Sequence, residues 1–205
     1  MGPKGREMGM AKVLAFVNQK GGVGKTTSAV NLAAALQKAG KRVLLCDFDP
    51  QANATSGLGV EKSTAAHSTY DIVIEDFPAA DAVIHTSYCD VLASNVALSG
   101  AGVELVGVEK REYALKTALQ PLREQYDYIF IDCPPVNIMA DSQIIGQYAD
   151  YTIFIVRAGF LDRAMLPELE KIYRKNTYKN MSLVLNGTDM GGGHYGYKYG
   201  YHSYN

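Results

Sequence analysis

The sequence predicts an α/β fold, a mostly parallel twisted sheet with helices on both faces, and three observations carry that prediction. Short apolar runs at residues 13–17, 43–46, 128–131 and 152–156 have the length of buried strands. Amphipathic stretches alternate with them, the order that builds a parallel sheet through helical crossovers. The chain has 205 residues, 47% apolar and 20% charged, enough for one buried core and too short for two full ones.

Taken in order, residues 13–17 form a buried strand that enters a glycine-rich turn. Residues 26–39 carry Val30, Leu32, Ala33 and Leu36 at helical spacing, and Gly40 supplies a C-cap. Residues 43–46 form a second buried strand ending at Asp47, Phe48, Asp49 and Pro50, and the polar stretch 51–68 reads as loop. Residues 91–93 form a short strand. Residues 103–125 mix charges with apolar residues at helical intervals, one long helix broken near Pro121. Residues 128–131 are a strand closed by Asp132 and the Pro134-Pro135 breaker; 142–148 are helical and 152–156 a strand. Residues 166–175 form a helix with Pro167 tolerated in its first turn, and 182–185 complete a last strand.

Composition excludes several classes of protein. Lys plus Arg number 20 against 21 Asp plus Glu, a formal charge of -1, which excludes a wholly basic nucleic-acid binder while leaving room for a local patch. Cys46, Cys89 and Cys133 are odd in number and lack metal-type spacing, so they read as reduced residues of a cytoplasmic protein. His67, His85, His194 and His202 are scattered without metal spacing. No run approaches the roughly 18 to 20 apolar residues of a membrane span. The basic start is followed by an apolar run too brief for a secretory signal.

Between the first strand and the first helix stands Lys20-Gly21-Gly22-Val23-Gly24-Lys25-Thr26-Thr27. Glycines here let successive backbone N–H groups face phosphate oxygens, and the helix start adds its positive dipole end. Lys25 reaches the β- and γ-phosphates, the Thr26 hydroxyl holds Mg²⁺, and Thr27 contacts the α-phosphate. Gln19 occupies the place where the standard P-loop has its first glycine, so this is the variant form with Lys20 before the double glycine. The fold expected is thus that of a P-loop NTPase. Residues 1–10 are an extension, 11–186 one ATPase domain and 187–205 a tail.

Ligands of open parallel sheets bind beyond the C-terminal ends of the strands. Asp132 ends one strand there and is expected to hold Mg²⁺ through water or through Thr26. Asp47 ends another and is expected to orient the attacking water, accept its proton or share the metal. Asp49 is expected to hold the loop behind them. Asn186, at the end of the last strand, is expected to read the adenine edge with its amide, although a simple strand-end turn explains it almost as well.

The stretches AFVNQKGGVGKTTSAVNLAAAL, RVLLCDFDPQANATSGLG, LASNVALSGAGVEL and YDYIFIDCPP resemble the ParA/Soj family of partition ATPases. That family stands with MinD and the nitrogenase iron protein among the deviant Walker A ATPases. The resemblance, from about residue 11 to 135, implies ATP and Mg²⁺ as cofactors and a homodimer joined through the nucleotide site. Lys20 then crosses to the partner's phosphates, and Asp47 is the carboxylate that supports hydrolysis. Charge supplied in trans is worth on the order of 10³ or more in rate. Family partners would be DNA or a ParB-like activator, but the basic C-terminal helices of that family are replaced here. Beyond Pro135, ADYTIFIVRAGFLDRAMLPELEKI, LVLNG and the tyrosine-rich end resemble bacterial tyrosine autokinases of capsule and exopolysaccharide systems. That resemblance implies phosphorylation of Tyr195, Tyr197, Tyr199, Tyr201 or Tyr204 between subunits, and a membrane activator protein. The chain thus reads as a hybrid with a seam near residues 132–136. In the second half Arg157, Arg163, Lys171, Arg174, Lys175 and Lys179 make a mild basic bias, diluted by Asp162, Glu168 and Glu170. This reads as a solvated helix face ahead of a DNA patch.

Overall fold

The computed structural model describes residues 9–63, 65–104, 113–135 and 149–188. The strands are β1 (Lys12–Val17), β2 (Val43–Asp47), β3 (Val83–His85), β4 (Asp90–Leu92), β5 (Tyr128–Asp132), β6 (Tyr151–Arg157) and β7 (Met181–Asn186). They make one sheet in the order β3-β4-β2-β5-β1-β6-β7. All pairs are parallel except β3 with β4.

The central strands read as unbroken apolar runs because both of their faces are covered. Alternate side chains part to opposite sides: Val13, Ala15, Leu44, Cys46, Ile129 and Ile131 enter one core, while Phe16, Val43, Leu45 and Phe130 enter the other. Helix α1 (Lys25–Lys38) closes the second core through Ala29 and Ala33. Leu32, expected on the buried stripe, is instead exposed, because the face that α1 turns to the sheet is centred on Ala29 and Ala33. The helix ends as expected at Gly40, whose φ of 77° permits a left-handed turn. Gly40 N–H bonds Gln37 O at 2.9 Å and Lys41 N–H bonds Leu36 O at 3.0 Å, the paired bonds of a Schellman stop.

The stretch 51–68 is not all loop. It holds α2 (Asn53–Gly57), which forms because β2's last carboxylate, Asp47, accepts the Thr55 N–H and hydroxyl. Next come α3 (Thr69–Ile74), a 3-10 turn (Ala79–Ala82) and β3, none of which the apolar spacing predicted. The signal for α3 was present as a capping box, in which Ser68 and Asp71 satisfy each other's backbone N–H. The expected long helix starts earlier, as α4 (Ala101–Glu104), and resumes as α5 (Ala114–Leu119). Residues 105–112 lie outside the described residues. After α5, Pro121 sits in the first turn of a 3-10 segment (Gln120–Glu124), where its missing N–H costs little. The first core is closed by α3, α5 and α6 (Leu166–Arg174), through Ile72, Val73, Leu115, Leu119 and Leu169. The sheet therefore has helices on both faces.

Strand β7 is an edge, with Leu183 and Leu185 about 60% exposed. Among the described residues no helix is long and apolar enough to cross a membrane. The expected helix at 142–148 and the tyrosines at 195, 197, 199, 201 and 204 lie outside the described residues.

Candidate functional site

The glycine-rich turn joins the C-terminal end of β1 to the start of α1. Gly22 and Gly24 take φ of 71° and 99°, a region in which a side chain strains the backbone. Gly24 is also the N-cap of α1, so no side chain covers the helix's first amides, and no acidic residue stands in its first turn. That leaves open N–H groups and an uncompensated positive dipole end, the arrangement that receives an anion. A cleft of about 500 Å³ opens there, walled by Gly21, Gly24, Thr26, Thr27, Asp49 and Pro135 among others. Its size lies within the range of small-ligand sites.

Lys25 is 6% exposed and donates from Nζ to Lys20 O at 3.1 Å. Burial pulls its pKa down, while Asp132 and Asp49 oppose that fall. Thr26 is half-buried and Thr27 exposed on the cleft wall. Lys20 is exposed at the rim, its ammonium 5.3 Å from the centre of the Phe160 ring.

Three carboxylates gather at the strand ends. Asp132 is paired in register with Asp47 on one side and Phe16 on the other. It is fully buried, and neither carboxylate oxygen has a hydrogen-bond partner among the described residues. Its pKa is pushed up to about 7, chiefly by burial; the Thr26 hydroxyl is near enough to pull against that rise without reaching hydrogen-bond geometry. A buried carboxylate without partners fits a cation above it, and the Thr26 hydroxyl beside it adds a second hard oxygen, the donor type that suits Mg²⁺.

Asp47 does not stand where the sequence reading put it. It is fully buried, with Oδ2 accepting the Thr55 N–H (2.8 Å) and hydroxyl (2.7 Å), and Oδ1 accepting the Asp49 N–H (3.2 Å). Burial raises its pKa to about 6. Both oxygens face the anchorage of α2, and Asp47 is not among the residues that wall the cleft. Asp49 is the member of the pair that lines the cleft, with Oδ1 accepting Gln51 N–H at 2.9 Å.

Asn186 takes a contact that sequence spacing does not announce. One N–H of its side-chain amide donates to Val23 O at 2.9 Å, which leaves the second N–H and Oδ1 for other partners. Beside it Arg157 donates to Gly22 O at 3.0 Å, with its guanidinium 5.8 Å from the Phe160 ring. Sequence reading counted Arg157 only in a basic bias. In that group Lys171 and Arg174 pair with Glu168 and Glu170 along α6, which favours the solvated face. Asn18, also missed, bonds Ile155 O and accepts the Lys20 N–H at 2.7 Å, fixing the entry to the turn. A polar residue directly between a buried strand and a glycine run was the available signal.

Comparison with known proteins gives the chain a family and a fold. Residues 11–189 match the family described as AAA domain, a stretch that runs through the apparent seam. The chain is 52% identical over 152 residues to the sporulation initiation inhibitor protein Soj of Bacillus subtilis (strain 168), covering 69% of this chain and 60% of Soj. It thus spans less than two thirds of that relative's length. Among solved structures, cobyrinic acid a,c-diamide synthase from Mycobacterium smegmatis, with bound ATP analog and magnesium, superposes with a TM-score of 0.74. Identity there is 32%, over 84% of this chain and 72% of that one. A plasmid partition protein from Borrelia burgdorferi superposes with a TM-score of 0.70 at 29% identity, over 86% of this chain and 79% of that one.

Proposed function

This chain belongs to the AAA-domain family, as a ParA-type P-loop protein, and from that premise we propose that it binds ATP with Mg²⁺, hydrolyses it slowly and uses it to join two copies across the site. The process proposed is partition of chromosomal or plasmid DNA, by likeness to the Borrelia burgdorferi plasmid partition protein. One observation carries the nucleotide reading: a buried lysine and a buried carboxylate without partners lie under a glycine turn whose helix amides are uncapped.

In this reading the amides of residues 21–27 hold the phosphates, and Lys25 gives up the Lys20 carbonyl for β- and γ-phosphate oxygens. Thr26 and Asp132 hold the metal, which when bound neutralises charge that develops on the transferring phosphoryl group. Asp49, on the cleft wall, faces the attacking water, and Asp47 supports it from behind through the Asp49 N–H. Lys20 leaves Phe160 and crosses to the phosphates of the second copy.

Calorimetry with Mg·ATP and a phosphate-release assay test the reading, with sedimentation to follow pairing. Heat of binding, slow release and ATP-dependent dimers are expected. No heat at any Mg·ATP concentration up to the millimolar range overturns it. Lys20→Ala should keep ATP binding and lose most turnover; unchanged turnover removes the crossing lysine. Labelled ATP addresses the tyrosine-autokinase alternative in the same sample. Label retained on the protein, and lost when the tail tyrosines become phenylalanine, would favour that alternative over the switch.

A further inference from the structure

Two side chains, one from β1's neighbour β6 and one from the edge strand β7, close on consecutive carbonyls of the phosphate loop. Arg157 and Asn186 are register partners at the ends of β6 and β7. Arg157 takes Gly22 O and Asn186 takes Val23 O. In a planar trans peptide the C=O and N–H point in opposite directions. Holding Gly22 O outward therefore aims the Val23 N–H inward, and holding Val23 O outward does the same for Gly24 N–H. Among the described residues neither of these N–H groups meets an acceptor.

The packing around the pair is close. Gly24 has room for no Cβ, because one there would collide with the Asn186 amide. A Cβ on Gly187 would touch the Arg157 stem at 3.4 Å, and the Arg157 guanidinium rests near Phe160. The Ala158 N–H bonds Asn186 O at 2.8 Å, which fixes the two strand ends together.

From this juxtaposition we infer that Arg157 and Asn186 form a clasp that aims the loop's amides at the phosphates, so that Asn186 acts on the triphosphate through the loop and not on the base. They are positioning residues, and the inference rests on the nucleotide reading above. Preformed donors need no reorganisation when the anion arrives, which is where the clasp acts on affinity.

The test compares binding of Mg·ATP, Mg·GTP and magnesium tripolyphosphate to the full chain and to Asn186→Ala, Arg157→Ala and Arg157→Lys. The clasp predicts that Asn186→Ala weakens all three ligands by the same factor, about threefold to tenfold for one lost neutral hydrogen bond. Arg157→Ala should weaken them at least as much, and Arg157→Lys, which keeps a donor, should recover part of the loss. A loss confined to ATP makes Asn186 a base reader and overturns the clasp, as does no loss with any ligand. Backbone dynamics without nucleotide read the device independently. NMR order parameters of the amides at residues 22–24 should fall in the Arg157→Ala, Asn186→Ala double variant while those of the strands stay unchanged. Unchanged order parameters refute the clasp even where no ligand binds. A wild-type chain that binds none of the three, yet shows that fall in the double variant, refutes the nucleotide reading and leaves the clasp standing.

Discussion

Thr55 is the residue through which the Asp47 carboxylate is tied to two elements at once. Its hydroxyl donates to Asp47 Oδ2 at 2.7 Å and accepts the Ser94 N–H at 3.0 Å, with no surface exposed. Thr55→Val keeps the shape and removes only the oxygen. The change takes a donor from a buried carboxylate, about 1.5–3 kcal/mol, and leaves the Ser94 N–H without an acceptor, about 1–3 kcal/mol. The two losses share one group and relax together, so about 3 kcal/mol at pH 8 is expected, a large part of a domain's total stability. The measurement is urea unfolding of both proteins, with Thr55→Ser as control, since it keeps the hydroxyl and should cost only about 1 kcal/mol. The penalty should also shrink at pH 5. Asp47, with its pKa raised to about 6, is then mostly neutral and accepts a weaker bond. A Thr55→Val loss below about 1 kcal/mol at pH 8, or one that grows on acidification, refutes this account of the anchorage.

Asp132→Asn should stabilise the chain without nucleotide at pH 8 and have little effect at pH 5. The carboxyl's pKa is raised to about 7, so the folded state binds more protons than the unfolded one between pH 4 and 7, and stability falls as pH rises through that window. Removing the charge should flatten the profile by a few kcal/mol at most, and parallel pH curves for the two proteins in thermal unfolding would count against it. The same variant should lose the Mg²⁺-dependent part of nucleotide binding, read by calorimetry with and without the metal. Gly24→Ala should cost about 1–3 kcal/mol and abolish nucleotide binding, because φ of 99° strains any side chain and the new methyl displaces Asn186. Normal affinity in a folded Gly24→Ala protein would contradict that.

The buried strands and the phosphate turn were legible because each depends on local composition. Apolar runs at β1, β2, β5 and β6 require burial on both faces, and the glycines at 21, 22 and 24 have few other uses before a lysine and two threonines. Asp47 was misread for a physical reason. A carboxylate at a strand end can face the cleft or turn back to hold the next segment, and the choice depends on Thr55, eight residues on. Helix α2 was missed for the same reason, since its anchor is that carboxylate and not its own pattern. Arg157 and Asn186 act on residues 135 and 163 positions away, a distance at which spacing carries no signal.

Those long separations govern the order in which a growing chain can be finished. Strand β1 leaves the ribosome early but finds its sheet neighbours β5 and β6 only after residue 128 and residue 151 have followed it. The loop at 21–24 waits longer still, until position 186 has been made. A nascent polypeptide halted before that point carries every residue of the nucleotide motif and lacks the amide that grips Val23. On the clasp inferred above, the loop's final alignment thus arrives late in translation, and non-local pairing of this kind makes the final docking slow.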